Sequence, residues 1–181
     1  MSETPRGADA PHDDLDPAQA ALAGVLLEVL RHLEEPALER VHWFALLRSA
    51  QLLAEQPGLA ALLGDDVALS LAQDSRHLTP VELDDVPSDS DPLSSLSALA
   101  WPEGITGLAA CFDLSAAQRE ERAPEDSLPT GAGSMRAAVA ALEDGTMFCA
   151  VRREGHKEVT LGAQLLPDVV AAIREAVTGE E

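Results

Sequence analysis

Large aromatic side chains are scarce in this sequence. Only 3% of its 181 residues are aromatic, and none of them is Tyr. The hydrophobic core must therefore be built from Leu, Val and Ala, although the apolar fraction of 46% is ordinary for a globular protein. The few large core residues are Trp43, Phe44, Trp101, Phe112 and Phe148. A chain of this length can bury a core of useful size, which predicts one domain.

Basic residues are also few. The chain has 12 Lys and Arg against 32 Asp and Glu, which gives a formal net charge of −20. A chain this acidic repels phosphate groups, which argues against binding to nucleic acid and to an anionic membrane. The simplest interpretation of the charge is solubility rather than a specific acidic site.

Cysteines are few, and long apolar runs are missing. The two cysteines are Cys111 and Cys149, the polar first residues do not resemble a secretory signal, and no apolar run reaches the ~18 residues of a membrane helix. These absences predict a cytoplasmic protein in a reducing compartment. Both cysteines fall in predicted strands, which favours buried core residues over a redox pair or half of a metal site.

The clearest structural pattern surrounds Asp144-Gly145. Two apolar runs, 135–143 and 146–153, flank this dipeptide, which is a strong hairpin signal. A two-residue type I′ turn places Leu142 opposite Met147. Because both faces of this hairpin are then apolar, we expect it to lie inside a sheet that is covered on both sides.

The remaining patterns predict an α+β domain. We expect an antiparallel sheet of four or five strands over residues 40–48, 105–114, 135–143, 146–153 and, as the fifth, 158–161. Helical spacing of apolar residues predicts a first helix after the N-cap Asp16 and a last helix from Pro167, both packed on the sheet. Residues 49–100 should form a helical insertion beside it, in which 65–77 fits either a helix or a strand.

Domain limits and smaller elements follow from local composition. Residues 1–14 are expected to be a disordered acidic tail, and 15–178 a single domain with a mobile loop at about 115–134. The run Thr79-Pro80-Val81-Glu82 has the capping-box pattern and predicts a short helical turn. The Ala-rich sheet leaves an edge strand that needs cover, which favours a homodimer.

Three segments together are similar to a known family. The first segment, Leu78 to Gly107, contains the pattern WPExxxG. The second, Leu142 to Val177, joins the Asp-Gly hairpin to a helix that follows Leu-Leu-Pro, and the third, Trp43 to Ala60, fits the family as well. The chain resembles an uncharacterised family of small, acidic actinobacterial proteins, named after a propionibacterial prototype. The resemblance covers most of Leu22 to Val177. It implies a compact cytoplasmic domain, and it implies no activity and no catalytic or binding residues.

Catalytic and cofactor motifs are missing from the sequence. The five histidines show no metal-ligand spacing, and no HExxH, CxxC, phosphate loop or G-x-S-x-G element is present. We therefore expect no catalytic, metal-binding or cofactor-binding residues. This favours a protein that is not an enzyme.

Two groups of residues are candidates for partner binding. Arg136, Arg152 and Arg153 form the one basic concentration, where they either pair with nearby carboxylates or receive an acidic or C-terminal peptide. His42 and Trp43 either stack a ligand or are ordinary strand residues. We predict a non-catalytic protein-binding module, adaptor-like or chaperone-like, whose partner is another protein. The alternative is a small-molecule-binding protein or an enzyme with a site assembled from dispersed residues.

Overall fold

The chain alternates helices with the strands of a sheet. The computed structural model describes residues 16–34, 38–74, 76–83, 92–98, 105–114, 134–153, 155, 157–163 and 165–178. The element order is α1 (Pro17–His32), β1 (His42–Arg48), α2 (Ser49–Glu55), α3 (Pro57–Leu63), α4 (Asp65–Gln73), β2 (Leu78–Glu82), α5 (Pro92–Ala98), β3 (Gly107–Leu114), β4 (Met135–Leu142), β5 (Met147–Arg153), β6 (Val159–Gly162) and α6 (Pro167–Thr178). The predicted tail 1–14, Trp101 and all of the predicted loop except Ser134 lie outside the described residues.

The strands form one antiparallel sheet in the order β2-β1-β3-β4-β5-β6. The predicted α+β class is confirmed, with six strands instead of four or five. The added strand is β2, since residues 78–82 pair with β1 instead of forming the predicted helical turn. The capping-box pattern was misleading because β2 is an edge strand, where the missing N–H of Pro80 is tolerated.

The turn of the β4–β5 hairpin is one residue longer than predicted. Residues 143–145 form the loop, which is closed by a hydrogen bond of 2.8 Å from the Leu142 N–H to the Thr146 carbonyl oxygen. Gly145 has a φ of 90°, and no residue other than glycine in the described ranges has a positive φ. A type I′ turn would need a positive φ at Asp144 also, so the loop is the three-residue kind that ends in a left-handed glycine.

This extra loop residue changes which side chains share a face, because strand side chains alternate with a period of two. Met147 lies opposite Ala141 instead of the predicted Leu142, and Cys149 lies opposite Val139. Both faces of the hairpin remain apolar. Its predicted position, inside a sheet covered on both sides, is therefore confirmed.

One long helix covers each face of the sheet. On the α1 face, the helix buries Leu22, Val25, Leu26, Val29 and Leu30 against the strands. On the α6 face, Leu166, Val169, Val170 and Ile173 do the same, with α5 packed beside α6. The central strand β4 is buried at every position, and its many alanines let both helices lie close to the sheet. Full burial of each large aliphatic side chain stabilises the fold by roughly 2 kcal/mol.

The ends of the two long helices follow the sequence signals. The Asp16 side chain accepts a hydrogen bond of 2.9 Å from the Gln19 N–H, and Pro17 is the first helical residue, as predicted. α1 ends at His32, close to the predicted end at Glu34. α6 begins at Pro167, as predicted.

The insertion over 49–100 is only partly helical. Residues 65–73 are helix α4, which decides between the two predictions for that segment, whereas β2 belongs to the sheet. Ser49 is not the N-cap of α2. It is the first residue of that helix, and Arg48 occupies the N-cap position without a capping bond from its side chain.

Candidate functional site

Helices α2, α3 and α4 form an arm, residues 49–74, that has almost no core of its own. Ser49 is its one buried residue; α3 and α4 have none. Four of its eight large apolar side chains face solvent, with exposed fractions of 84% at Leu62, 60% at Leu69, 48% at Val67 and 46% at Leu63, and the other four are half-buried. Surface helices normally bury an apolar stripe, so exposed Leu and Val side chains on adjacent helices are unusual in a surface that only faces water.

The base of the arm is fixed by a hydroxyl network. Ser49 Oγ lies 2.6 Å from His77 Nδ1 and 2.6 Å from Thr79 Oγ1. The Ser49 N–H also donates to the His77 carbonyl oxygen at 2.9 Å. A serine next to a histidine has the composition of a nucleophile and its base. Ser49 is only 2% exposed, however, so the pair ties the arm to β2 and offers no access to a substrate.

A small groove of about 320 Å³ lies where the arm meets the sheet. We call it the arm groove. Its walls are mainly aliphatic and come from α2 and from the sheet, with Ala45, Leu47, Arg48, Gln51, Leu52, Glu55, Gln56, Val81, Leu83 and Ile105 as lining residues. Val81 is itself 41% exposed. The apolar surface of the arm thus has an apolar recess at its base.

A larger groove of about 560 Å³ lies on the α1 face, between the end of α1 and strands β1 and β2. We call it the α1 groove. Helix α1 lines it with Glu28, Val29, Arg31 and His32, and the sheet lines it with Phe44, Pro80 and Glu82. It therefore combines an apolar floor with charged groups, which is the usual composition of a small-molecule site.

Glu82 links two histidines at the α1 groove. Its Oε1 lies 2.7 Å from His42 Nδ1, and its Oε2 lies 3.9 Å from His32 Nε2. The side chains of Glu82, His42 and His32 are 26%, 15% and 64% exposed. The short contact orients the His42 ring and leaves its Nε2 unused by Glu82. In the described part of the chain, no cluster of three or more His, Cys, Asp or Glu side chains is arranged to hold a metal ion.

Trp43 and His42 lie on opposite faces of β1. Trp43 is 1% exposed and packs in the α6-face core, so its ring is not open to a ligand at the surface. Its indole Nε1 is buried and has no hydrogen-bond partner among the residues that the structure describes. The structure thus places His42, but not Trp43, in contact with Glu82, which lines the α1 groove. Ligand binding by either residue stays a prediction.

Arg136 is held inside the fold. It is 8% exposed, and its Nε and Nη2 donate to the two carboxylate oxygens of Asp113 at 2.7 and 3.1 Å. Its Nη1 donates to the Leu33 carbonyl oxygen at 2.6 Å, just beyond the end of α1. Asp113 Oδ2 also accepts the Leu38 N–H at 2.8 Å. These bonds match the carboxylate pairing that the sequence left open for this residue.

The strand register places the three arginines at the same end of the β4–β5 hairpin. Arg152 lies directly opposite Arg136, and Arg153 lies opposite Met135. Arg152 and Arg153 are half-buried and point to different faces of the sheet. Partner binding by this group stays a prediction, with Arg152 and Arg153 as its accessible members.

The cysteines are core residues, as predicted. Both are 0% exposed; Cys111 lies in the core of the α1 face and Cys149 in that of the α6 face. The sheet between them prevents a disulfide. Burial raises the pKa of the Cys149 thiol to about 11, against smaller opposing effects of backbone hydrogen bonds from residues 165 and 166. A thiol of this kind is a poor nucleophile at neutral pH.

Sequence reasoning missed the arm surface and Glu82. The signal for the arm was present, because 49–74 is rich in Leu and Ala with few charges, yet lacks the polar face of a surface helix. Glu82 was hidden in the capping-box pattern. Its pairing with His42 depends on β2 lying next to β1, a contact between distant segments that the sequence pattern does not reveal.

The fold and its two grooves define an α+β domain with a sheet between two helices and a projecting helical arm. The chain belongs to the PPA1309-like protein family, whose family model matches residues 22–178. The comparison with curated proteins gives no match, and the comparison with solved structures gives none either. None of the helices in the described ranges has the length and apolar character needed to cross a membrane.

Proposed function

We propose that this protein is a non-catalytic module that binds another protein through the arm. The observation that carries this proposal is the exposure of Leu62, Leu63, Val67 and Leu69 on helices that have no buried side chain. Covering such a surface removes apolar area from water, which contributes roughly 25 cal/mol per Å². Protein partners supply this kind of cover.

The lengths of the arm helices support the same conclusion. α2 and α3 have 7 residues each and α4 has 9. Helices below about 12 residues are marginal in water and depend on tertiary packing for their stability. Because the arm packs little against the rest of the protein, a partner that covers it would also stabilise its helices. This coupling suits an adaptor or chaperone-like role.

The proposed setting is the cytoplasm. Cys111 and Cys149 form no disulfide and are buried on opposite sides of the sheet. A reducing compartment is compatible with both. The proposal gives no role to a cofactor.

The experiment that tests the module is quantitative affinity capture from the native cell extract, followed by mass spectrometry. The bait is the wild-type chain, the variant Leu62→Ser/Leu69→Ser, or the control variant Glu39→Gln/Glu158→Gln. All four positions are exposed, so each variant should keep the wild-type fold. Circular dichroism and thermal unfolding check this before capture.

The expected result is a protein that the wild type and the control retain and that the arm variant loses. The interaction must then be reproduced with the two purified proteins. If every protein retained by the wild type is retained equally by the arm variant, the arm is not a binding surface and the proposal is wrong.

A second candidate function is the binding of a small molecule in the α1 groove. The supporting observation is its volume of about 560 Å³ together with the His42–Glu82 contact at its edge. Ligand sites commonly have volumes of about 300–1,000 Å³. A thermal-shift screen of metabolites, repeated with Glu82→Gln and His32→Ala, tests it. A compound that stabilises the wild type but neither variant would support this function, and a screen without such a compound would count against it.

A further inference from the structure

The arm carries charge of one sign only. From Ser49 to Asp74 the sequence has no Lys, Arg or His, whereas it has four carboxylates, at Glu55, Asp65, Asp66 and Asp74. All four of these residues are exposed. α3, which contributes Leu62 and Leu63, has no charged residue at all. The exposed apolar surface is thus bordered by acidic groups.

The acidic groups lie at the ends of the arm helices. Asp65 and Asp66 form the first turn of α4, next to the exposed Leu62 and Leu63 at the end of α3. Glu55 is the last residue of α2 and lines the arm groove. An apolar surface between carboxylates is complementary to an apolar surface between cations.

The nearest cation at the arm groove is Arg48. Its charge acts on Asp144 in the hairpin loop: the pKa of that carboxyl is lowered first by a hydrogen bond from Thr146 and, to a smaller degree, by Arg48. Arg48 therefore already faces a carboxylate of this chain.

We propose that the occupant of the arm is a basic amphipathic helix of a partner protein. The proposal rests on the protein-binding function above and names its partner class. Apolar side chains of the partner helix cover Leu62 and Leu69 and enter the arm groove, while its Lys and Arg side chains lie over Glu55, Asp65 and Asp66. Amphipathic helices commonly bind apolar surfaces through residues at i, i+3, i+4 and i+7.

Charge decides against the other occupants. In a symmetric contact between two copies, each arm would bring four carboxylates and no cation to the same interface, and like charges that face each other are unfavourable. An acidic peptide meets the same repulsion. The chain's own first 14 residues carry Glu3, Asp9, Asp13 and Asp14 against Arg6, so they do not complement the arm either.

The probe for the test is a fluorescein-labelled Leu/Lys peptide of about 14 residues with leucines at helical spacing. Two comparison peptides are a scrambled version of the same composition and a version with Glu in place of every Lys. Fluorescence anisotropy measures their binding to the full chain at several salt concentrations. We expect the helical basic peptide to bind at least about tenfold more tightly than either comparison peptide.

Variants of the full chain separate the apolar and the ionic contributions. Leu62→Ser/Leu69→Ser should weaken binding of the basic peptide about tenfold or more. Asp65→Asn/Asp66→Asn should weaken it about three- to tenfold and should reduce its salt dependence. Glu39→Gln/Glu158→Gln removes the same amount of charge away from the arm, and should change the affinity less than about twofold.

Three results would overturn the proposed occupant. The first is equal binding of the scrambled peptide, and the second is equal weakening by the control variant, because both indicate attraction to net charge alone. The third is a dimer in sedimentation that Leu62→Ser/Leu69→Ser abolishes, because a second copy then covers the arm. If the capture experiment still finds an arm-dependent partner, only the partner class is wrong. If the capture experiment finds no arm-dependent partner, the proposed protein-binding function is wrong as well.

Discussion

Arg136 and Asp113 lie directly opposite each other on neighbouring strands and share two hydrogen bonds, of 2.7 and 3.1 Å. The same guanidinium donates to the Leu33 carbonyl oxygen beyond α1. The same carboxylate accepts the Leu38 N–H that precedes β1. One ion pair therefore holds the connection between α1 and β1 against the centre of the sheet.

Replacing one member of this pair should destabilise the fold. Arg136→Met leaves the Asp113 carboxylate and the Leu33 carbonyl without their donor. The expected loss in the free energy of unfolding is about 2–3 kcal/mol, at the low end for buried pairs because Asp113 keeps 22% exposure. Urea denaturation measures it, with Asp113→Asn and the double variant completing a mutant cycle. Additive single effects would contradict the role of the pair.

Reversing the charge of the two accessible arginines, Arg152 and Arg153, should affect stability much less. Arg152→Glu/Arg153→Glu is expected to change the free energy of unfolding by less than about 1 kcal/mol, because partly exposed charges contribute little. If these arginines bind a partner, the variant should lose it in the capture experiment while the arm variant retains it. Loss of the same protein from both baits would indicate one interface that reaches both surfaces. Full retention by the arginine variant would exclude this surface.

The three-residue hairpin loop predicts opposite effects for two glycines. Gly145→Ala puts a side chain at a φ of 90° and should destabilise the protein by about 1 kcal/mol. Gly24 lies in α1 with nothing within 4 Å of an added Cβ, so Gly24→Ala should stabilise it by about 0.5–1 kcal/mol. Urea midpoints of the two variants check the signs. A neutral Gly145→Ala would argue against the left-handed loop position.

The buried thiol of Cys149 predicts a loss of stability at alkaline pH. Its pKa is about 11 in the folded chain against an ordinary value of 9.0. Below pH 9 the thiol is protonated in both the folded and the unfolded chain, so its contribution to stability is complete. Between pH 9 and 11 only the unfolded chain releases this proton, and the free energy of unfolding falls. The expected loss by pH 11 is about 2–3 kcal/mol.

The variant Cys149→Ala is the control for this pH effect. Between pH 9 and 11 the variant should lose less stability than the wild type, because it lacks the Cys149 thiol. The difference between the urea midpoints of the two proteins should therefore shrink over this pH range. Few other groups contribute in this pH range, since the chain has no Tyr, one lysine, Lys157, and one further cysteine, Cys111, and both proteins of the comparison contain them. Parallel pH profiles of the two proteins would show that Cys149 does not titrate differently on unfolding.

Local signals predicted most of the secondary structure correctly. The Asp16 cap and Pro17 mark the start of α1, Pro167 marks the start of α6, and the Asp-Gly pair lies in the loop of the central hairpin. These signals work because caps, prolines and turns act on a few adjacent residues. Errors arose where a local pattern conflicted with strand pairing between distant segments. At residues 79–82 the capping-box pattern was outweighed by pairing with β1.

The candidate sites were harder to predict, because the role of a side chain depends on its distant neighbours. For Arg136 the sequence left open carboxylate pairing or partner binding, and the side chain bonds to Asp113 and Leu33, which are far away in sequence. The same limit applies to Glu82 and His42, which meet only because β2 pairs with β1. The arm was predicted as part of a helical insertion, with 65–77 left open between helix and strand. Its composition alone does not say which of its apolar side chains the rest of the chain covers.

The sequence by itself determined the α+β class, the apolar strands around Asp144-Gly145 and the acidic net charge, because each depends on composition or on short-range pattern. Only the tertiary structure decided the register of β4 on β5, the burial of Arg136 and the exposure of Leu62 and Leu69. One extra residue in a loop moves every side chain of the next strand to the opposite face of the sheet. Burial depends on which surfaces the rest of the chain covers. Helices α1 and α6 take the two faces of the sheet, and the apolar arm remains uncovered.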